Sequence, residues 1–407
     1  MKRNLLLTVS MAALLLLILE GNANSQDWTQ FRGVTRDCRV TGFKAPATWP
    51  SVIQQVWKVT VGTGDATPVL AGKKIYLNTR QGGEEVILCL DAATGKELWK
   101  SSYTASSVTG PSAAHPGPRS SPSISNGKLV TFGATGILSC LDANSGKVLW
   151  RKDNPTNDVP QFFTGMSPLL TDGTCIVYTG TKDNGTVLCL DLETGAEKWK
   201  WSGEGPAYSS PSIMKIYGKK HIILLSEKNI MAINFADGKL VWSIPTPIQQ
   251  RFYNCVSPCI NGQIIYYSGQ GTGTRAIKVE KDGEKYIPKE IWTNATTGAK
   301  WNTPVLRDGF LYGFTDARRI YCINASDGQT AWLDDAVNSD FATLVDCGSV
   351  LIGLPSTSNL IVFKPDNKVY SQIAKYKVSE TPIYSFPVIS GDVVYIKDAE
   401  SLMMYKF

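Results

Sequence analysis

Residues 88–99 read LCLDAATGKELW, and the rest of the chain is written around copies of this stretch. Residues 138–150 read LSCLDANSGKVLW, 188–199 LCLDLETGAEKW, 231–242 MAINFADGKLVW and 321–332 YCINASDGQTAW. Each copy has one physical plan. An apolar strand ends in Asp91, Asp142, Asp191, Asn234 or Asn324, whose short side chain can bond the backbone of a tight turn. Gly95, Gly146, Gly195, Gly238 and Gly328 then supply the positive φ that a short hairpin loop needs. A second strand follows and ends in Trp. One such hairpin cannot bury both faces, so the copies must stack.

The period decides the architecture. Trp57, Trp99, Trp150, Trp199, Trp242, Trp292 and Trp332 recur every 40–51 residues, with Tyr376 at the next place. That spacing without helical periodicity is the mark of a four-stranded propeller blade. Upstream of most hairpins lies an S/T-P pair, a short apolar stretch, a Gly turn and another apolar strand, as in SPSISNGKLVTFG from Ser121 or TPVLRDGFLYGFT from Thr303. Pro suits the first residue of a strand, where its missing donor costs least.

The chain is therefore expected to be all-β, an eight-bladed β-propeller of four-stranded antiparallel blades. The blades cover 67–103, 121–153, 167–201, 210–244, 257–294, 303–336 and 342–378, and the eighth combines 386–407 with 52–61. The C-terminal end offers three strands and stops, and residues 52–61 offer a single strand without an S/T-P partner. Pairing the two closes the ring and removes its open edge. The fifth blade stretches its hairpin with charged residues from Ala276. The seventh has Leu344 in place of Pro and FKPDNKVY in place of the turn.

Residues 1–25 read as a signal peptide. Lys2 and Arg3 precede an apolar run from Leu5 to Leu19, and small residues Ala23 and Ser25 mark a cleavage site. The protein is expected to be exported, periplasmic or extracellular, with no transmembrane segment after signal removal, and monomeric. Residues 26–51 read as a lead-in running over the propeller surface, and 52–407 as the propeller domain. The net charge of +6 is spread rather than clustered, which gives no stripe for nucleic acid. Cys89, Cys140, Cys189 and Cys322 share a repeat position that holds Ala232 and Ala276 in other copies, so it is a small buried slot. Most of the nine cysteines are expected to be reduced thiols, although Cys175 with Cys189, or Cys255 with Cys259, would be near enough in sequence to pair.

The hairpins resemble the tryptophan-docking motif of quinoprotein dehydrogenases, A-x-D-x-x-T-G-K-x-x-W. Cys89 stands at the Ala position, and Asp91, Thr94, Gly95, Lys96 and Trp99 match. With the lead-in DWTQFRG at 27–33, the pattern resembles the exported bacterial PQQ-like propeller-repeat family, related to BamB of the outer-membrane barrel-assembly machinery. That resemblance covers 27–407 and implies the fold. It implies the seven tryptophans as structural docking residues. It also raises a quinone-binding oxidoreductase as an alternative, with PQQ and calcium as cofactors.

The residues do not favour catalysis. Quinoprotein dehydrogenases of this kind carry a pair of adjacent cysteines, absent here, and the Asp residues of the turns recur with the repeat. His115 and His221 belong to no metal-ligand spacing, and no Ser-His-Asp set or phosphate loop stands out. No catalytic residue, metal ligand or cofactor is assigned. Binding is better sought where the chain enters each innermost strand. Three residues before the S/T-P proline stand Asp65, Arg119, Gly165, Tyr208, Cys255, Trp301, Phe341 and Tyr384, and one residue earlier Asn254, Lys300 and Asp340. Arg119, Tyr208, Asn254, Lys300, Trp301, Asp340, Phe341 and Tyr384 form the candidate channel rim. Such a ring suits a protein partner in the envelope or a small polar ligand, with glycan binding a further alternative resting on the aromatics alone. The loop from Tyr103 to Ser121 is polar and long enough to lie over the mouth.

Overall fold

The computed structural model describes residues 27–154, 156–246, 253–339 and 341–407. The signal segment lies outside the described residues. Eight four-stranded antiparallel sheets form an eight-bladed propeller. Seven blades are consecutive in sequence, from Val69–Ala71 through Glu97–Thr104 in blade 1 to Ala342–Asp346 through Gln372–Lys377 in blade 7. In the eighth, Gln54–Thr60 pairs antiparallel with Ser401–Lys406, setting Trp57 opposite Met404 and Val59 opposite Leu402. The ring is thus closed by the two ends of the propeller. The first strands of neighbouring blades touch one another, so they line the axis. No helix of the described residues is long and apolar enough to cross a membrane.

The hairpin turn works as its residue types require. Asp91 Oδ1 accepts from the Ala93 and Thr94 amides and the Thr94 hydroxyl, at 3.1, 2.9 and 2.8 Å. These donors favour the ionised form and hold the Asp91 carboxyl below its ordinary range. In five blades the closing Trp then reaches the turn of the next. Trp99 Nε1 donates to Ala143 O, Trp150 to Leu192 O, Trp199 to Phe235 O, Trp292 to Ala325 O and Trp332 to Asp366 O, all at 2.9–3.1 Å. The turn glycine is flat ground for the ring. A Cβ on Gly195, whose φ is +71°, would lie 2.7 Å from Trp150 Cδ2. The small slot also has a reason. Cys89 pairs across the sheet with both Tyr76 and Trp99, whose rings sit 6.0 Å apart. Cys322 does the same between Tyr312 and Trp332, and Ala276 between Tyr266 and Trp292. A larger side chain there would part the rings. All nine cysteines are free, eight of them buried.

The long hairpin of blade 5, Gly273–Asp282 with Lys285–Asn294, breaks the pattern. Trp242 instead packs in an apolar cluster with Tyr267, Ile277 and Val279. Trp150, half-buried with one interblade bond, gives a clean test of docking. Trp150→Ala is expected to cost about 3 kcal/mol, and reversible urea unfolding checks it. A loss below about 1 kcal/mol would mean that the indole contributes little to blade packing.

A second set of bonds joins the blades near the axis. The hydroxyl of each S/T-P pair accepts the backbone N–H of the blade before it. Phe386 N–H donates to Thr67, Thr67 to Ser121, Ser121 to Ser167, Ser167 to Ser210, Ser210 to Ser257 and Ser257 to Thr303, all at 2.9–3.1 Å. The belt is not continued into blade 7, where Leu344 replaces the Pro and the Thr343 hydroxyl turns to Leu354 O and Ser385 O. Proline's missing donor explains only half of the motif. The residue before it staples one blade to the next.

The lead-in departs from the expectation of a surface segment. Trp28 exchanges both backbone bonds with Leu70 of the innermost strand of blade 1, and Thr29 O accepts the Ile124 amide of blade 2. Arg36 donates to Pro168 O of blade 3 and Arg32 to Pro304 O of blade 6. Asp346 of blade 7 exchanges bonds with Cys38 O and the Val40 amide. Residues 28–40 therefore cross the axis and plug the channel, with Trp28 and Arg32 each 1% exposed. A segment without periodicity carries no signal of this, because its partners are inner strands far away in sequence.

Candidate functional site

The plug turns a through-channel into a blind cavity. On the S/T-P side lies a space of about 360 Å³, and all eight positions three residues before the S/T-P proline or its replacement line it. The reason is registration: the hydroxyl belt fixes the start of each innermost strand, so the residue two places earlier falls at the same height in every blade but differs in type. Phe31 of the plug and Phe386 make the floor, edge to face at 5.5 Å.

Two aromatic walls rise from it. On one side Trp301 stacks on Phe341 with centroids 5.1 Å apart and planes 8° from parallel, and Phe341 meets Tyr384 edge-on. On the other, Phe162, Tyr208 and Tyr253 form a triangle of edge-to-face contacts at 5.0–5.9 Å. The Phe162 amide donates to Tyr208 Oη, and burial pushes that phenol's pKa up. Phe341 is 39% exposed although it is large and apolar.

The charged groups sit along one edge. His115 Nδ1 lies 2.7 Å from Asp65 Oδ2, and its ring meets Tyr384 at 4.8 Å. Arg119 donates to Phe162 O, Ser112 O and His115 O, and burial lowers its pKa. It thereby pins the loop from 103 to 121 across the mouth, and Pro111, Ser112 and His115 of that loop join the lining.

Of the eight residues proposed for the rim, Arg119, Tyr208, Trp301, Phe341 and Tyr384 come together in this cavity. Lys300 borders it, its ammonium 4.9 Å over the Trp301 ring. Asn254 does not join them. It is buried and donates to Ser226 O and Thr246 Oγ1, clamping its own loop. Asp340 lies outside the described residues. Phe31, His115, Phe162 and Tyr253 were not in that set. Phe162 and Tyr253 each stand within five residues of an S/T-P serine, a clustering the sequence displays, whereas Phe31 reaches the cavity only through the plug. The seven docking tryptophans stand away from it, none of them among its lining.

The family model described as outer membrane protein assembly factor BamB matches residues 54–116 and 82–334. The outer membrane protein assembly factor BamB of Yersinia pestis is 21% identical over 370 residues, 87% of this chain and 88% of that protein. The crystal structure of BamB from Moraxella catarrhalis superposes with a TM-score of 0.64 at 14% identity, covering 88% of this chain and 98% of that one. The quinohemoprotein alcohol dehydrogenase of Comamonas testosteroni superposes with a TM-score of 0.68 at 12% identity, over 94% of this chain and 81% of that one. At these identities the superpositions speak for the fold.

The second likeness raises a quinone held with calcium, and the cavity can be tested for it. Calcium takes six to eight oxygen ligands. The carboxylate among the lining residues, Asp65, is engaged by His115. The amide there, Asn302, has both ends tied to the Phe314 backbone, at 2.7 and 3.1 Å. Among the described residues no three His, Cys, Asp or Glu converge as a metal site. Among the described residues, the side chains that line the cavity do not fit a calcium–quinone pair.

Proposed function

The chain belongs to the family described as outer membrane protein assembly factor BamB, and from that premise we propose that it is an exported, non-catalytic binding propeller of the cell envelope whose channel mouth holds an apolar or aromatic segment of a protein partner. One observation carries the reading: eight blades deliver one residue each to a single aromatic cavity with a closed floor. A rigid apolar hollow with a few convergent polar groups is what ligand sites share. Aromatic and Arg anchors in such a hollow supply most of the energy of protein recognition. Because the plug blocks passage, the cavity takes a protruding group rather than conducting one. The apolar run after Lys2 and Arg3 supports export.

A photo-crosslinker placed at Phe341 should capture a partner in intact envelopes, while one at Val369, 58% exposed on blade 7, should not. Trp301→Ala is expected to weaken that partner's binding by about 30-fold, roughly 2 kcal/mol. Equal capture at both positions would remove the mouth from the reading. Dye reduction on addition of quinone and calcium would replace binding with catalysis.

A further inference from the structure

The far side of the plug holds a second hollow, of about 230 Å³, whose lining includes Arg32, Arg36, Gln30, Thr35, Thr171 and Ser212. Its two arginines are unusual in what they lack. Arg32 is 1% exposed and gives its Nε to Cys38 Sγ at 3.2 Å and one terminal nitrogen to Pro304 O at 3.3 Å. Arg36 is 7% exposed and gives one terminal nitrogen to Gln30 Oε1 and Pro168 O, both at 3.1 Å. Its other terminal nitrogen is buried without a partner. Among the described residues no carboxylate oxygen comes within 4.0 Å of either guanidinium, the distance at which ion pairs form elsewhere in this protein.

Every partner of these two cations is thus neutral. A guanidinium stays charged when buried, and an uncompensated buried charge is strongly destabilising unless a counter-charge accompanies it. Burial lowers Arg36 to about 9, and the neighbouring Arg32 adds to the effect. At neutral pH both remain cations. The nearest acid along the hollow is Asp37, half-buried, whose Oδ1 takes the Thr35 hydroxyl at 2.6 Å and the Arg39 amide at 3.0 Å. One partly exposed carboxylate against two buried guanidiniums leaves the hollow positive.

We propose that this hollow is an anion site, which binds a free tetrahedral oxyanion, phosphate or sulfate, as the counter-charge of the plug arginines. The planar fork of a guanidinium matches such oxygens in pairs. The volume is about that of eight waters at ~30 Å³ each, and it falls below the ~300–1,000 Å³ typical of pockets for larger ligands. The site lies beyond the plug from the channel mouth, with the Arg36 guanidinium 5.8 Å over the ring of Phe31, the floor of that mouth. A bound oxyanion would fix Arg32 and Arg36 and through them the segment that floors the mouth.

The test is thermal unfolding of the whole mature chain in phosphate, sulfate or chloride at matched ionic strength. Calorimetric titration of wild type with inorganic phosphate runs beside it. The expected result is a saturable rise in Tm of about 2–4 °C in phosphate or sulfate. One site should appear in the titration, and the rise should vanish in Arg36→Met. A general effect of excluded salts would not saturate and would survive the substitution. No binding in the phosphate titration, equal shifts in chloride, or an undiminished shift in Arg36→Met each overturn the site. If Arg36→Met does not fold, the wild-type titration alone decides.

Discussion

Removal of residues 27–62 is expected to leave a protein with no stable monomer. The deletion takes away Gln54–Thr60, and with it every partner of the outer face of Ser401–Lys406, a strand reading SLMMYK. It removes Trp57 from the turn at Gly95, where the ring lies so close that a Cβ would meet it at 2.9 Å. It also cuts two further stitches of the ring. The amides of Val61 and Gly62 donate to Glu400 O. The buried Lys397 ammonium, held down to about 8 by desolvation, donates to Gly64 O, Asp398 O and Ala399 O at 2.8–3.2 Å, and these bonds, lying past the cut, are left without the strand beside them. An apolar edge with free N–H and C=O groups recruits other chains. Size-exclusion chromatography with light scattering should show oligomers or loss in the void volume. A monomer with unchanged unfolding would show that the strand pairing at the ends does not hold the ring.

That closure was legible because it is a matter of counting. Three strands at one end and one at the other can be added without knowing a single contact. The docking hairpins were legible for a related reason: Asp or Asn, Gly and Trp each answer a local demand, and five blades repeat the answer. The site was readable in part. Position three before the proline was the right height, since the belt that fixes it repeats with the blades. At the next residue up Lys300 borders the cavity and Asn254 does not, because alternate residues of an extended segment can point opposite ways. Asn254 accordingly turns inward to Ser226 and Thr246. The belt itself is hidden behind its proline, whose missing donor accounts for the motif without it. The plug left no trace at all. Arg32 meets Pro304 across 272 residues, and nothing in DWTQFRG says which blades it will touch.

Trp28→Ala is expected to be the most damaging single substitution among these, costing roughly 3–5 kcal/mol. Its indole is 1% exposed and packs with Cys38, Val40 and Leu70 in the largest apolar cluster of the protein. The ring also fixes the turn that follows, for a Cβ on Gly33, at φ +83°, would approach it to 3.3 Å. Its Nε1 is buried without a hydrogen-bond partner. The loss is therefore one of packing, without a broken bond to add, and an apolar replacement of similar size should recover most of it. Trp28→Phe is expected to lie within about 1.5 kcal/mol of wild type. The consequence reaches the mouth. Trp28 anchors the segment that carries Phe31, and Phe31 is the floor. Partner binding at the mouth should weaken in Trp28→Ala even at temperatures where the variant is fully folded, and should persist in Trp28→Phe. Urea unfolding gives the first quantity and the crosslinking yield at Phe341 the second. A loss below about 1 kcal/mol would mean that the plug is not held by its tryptophan. Stability lost with full binding kept would mean that the floor is set by Phe386 alone.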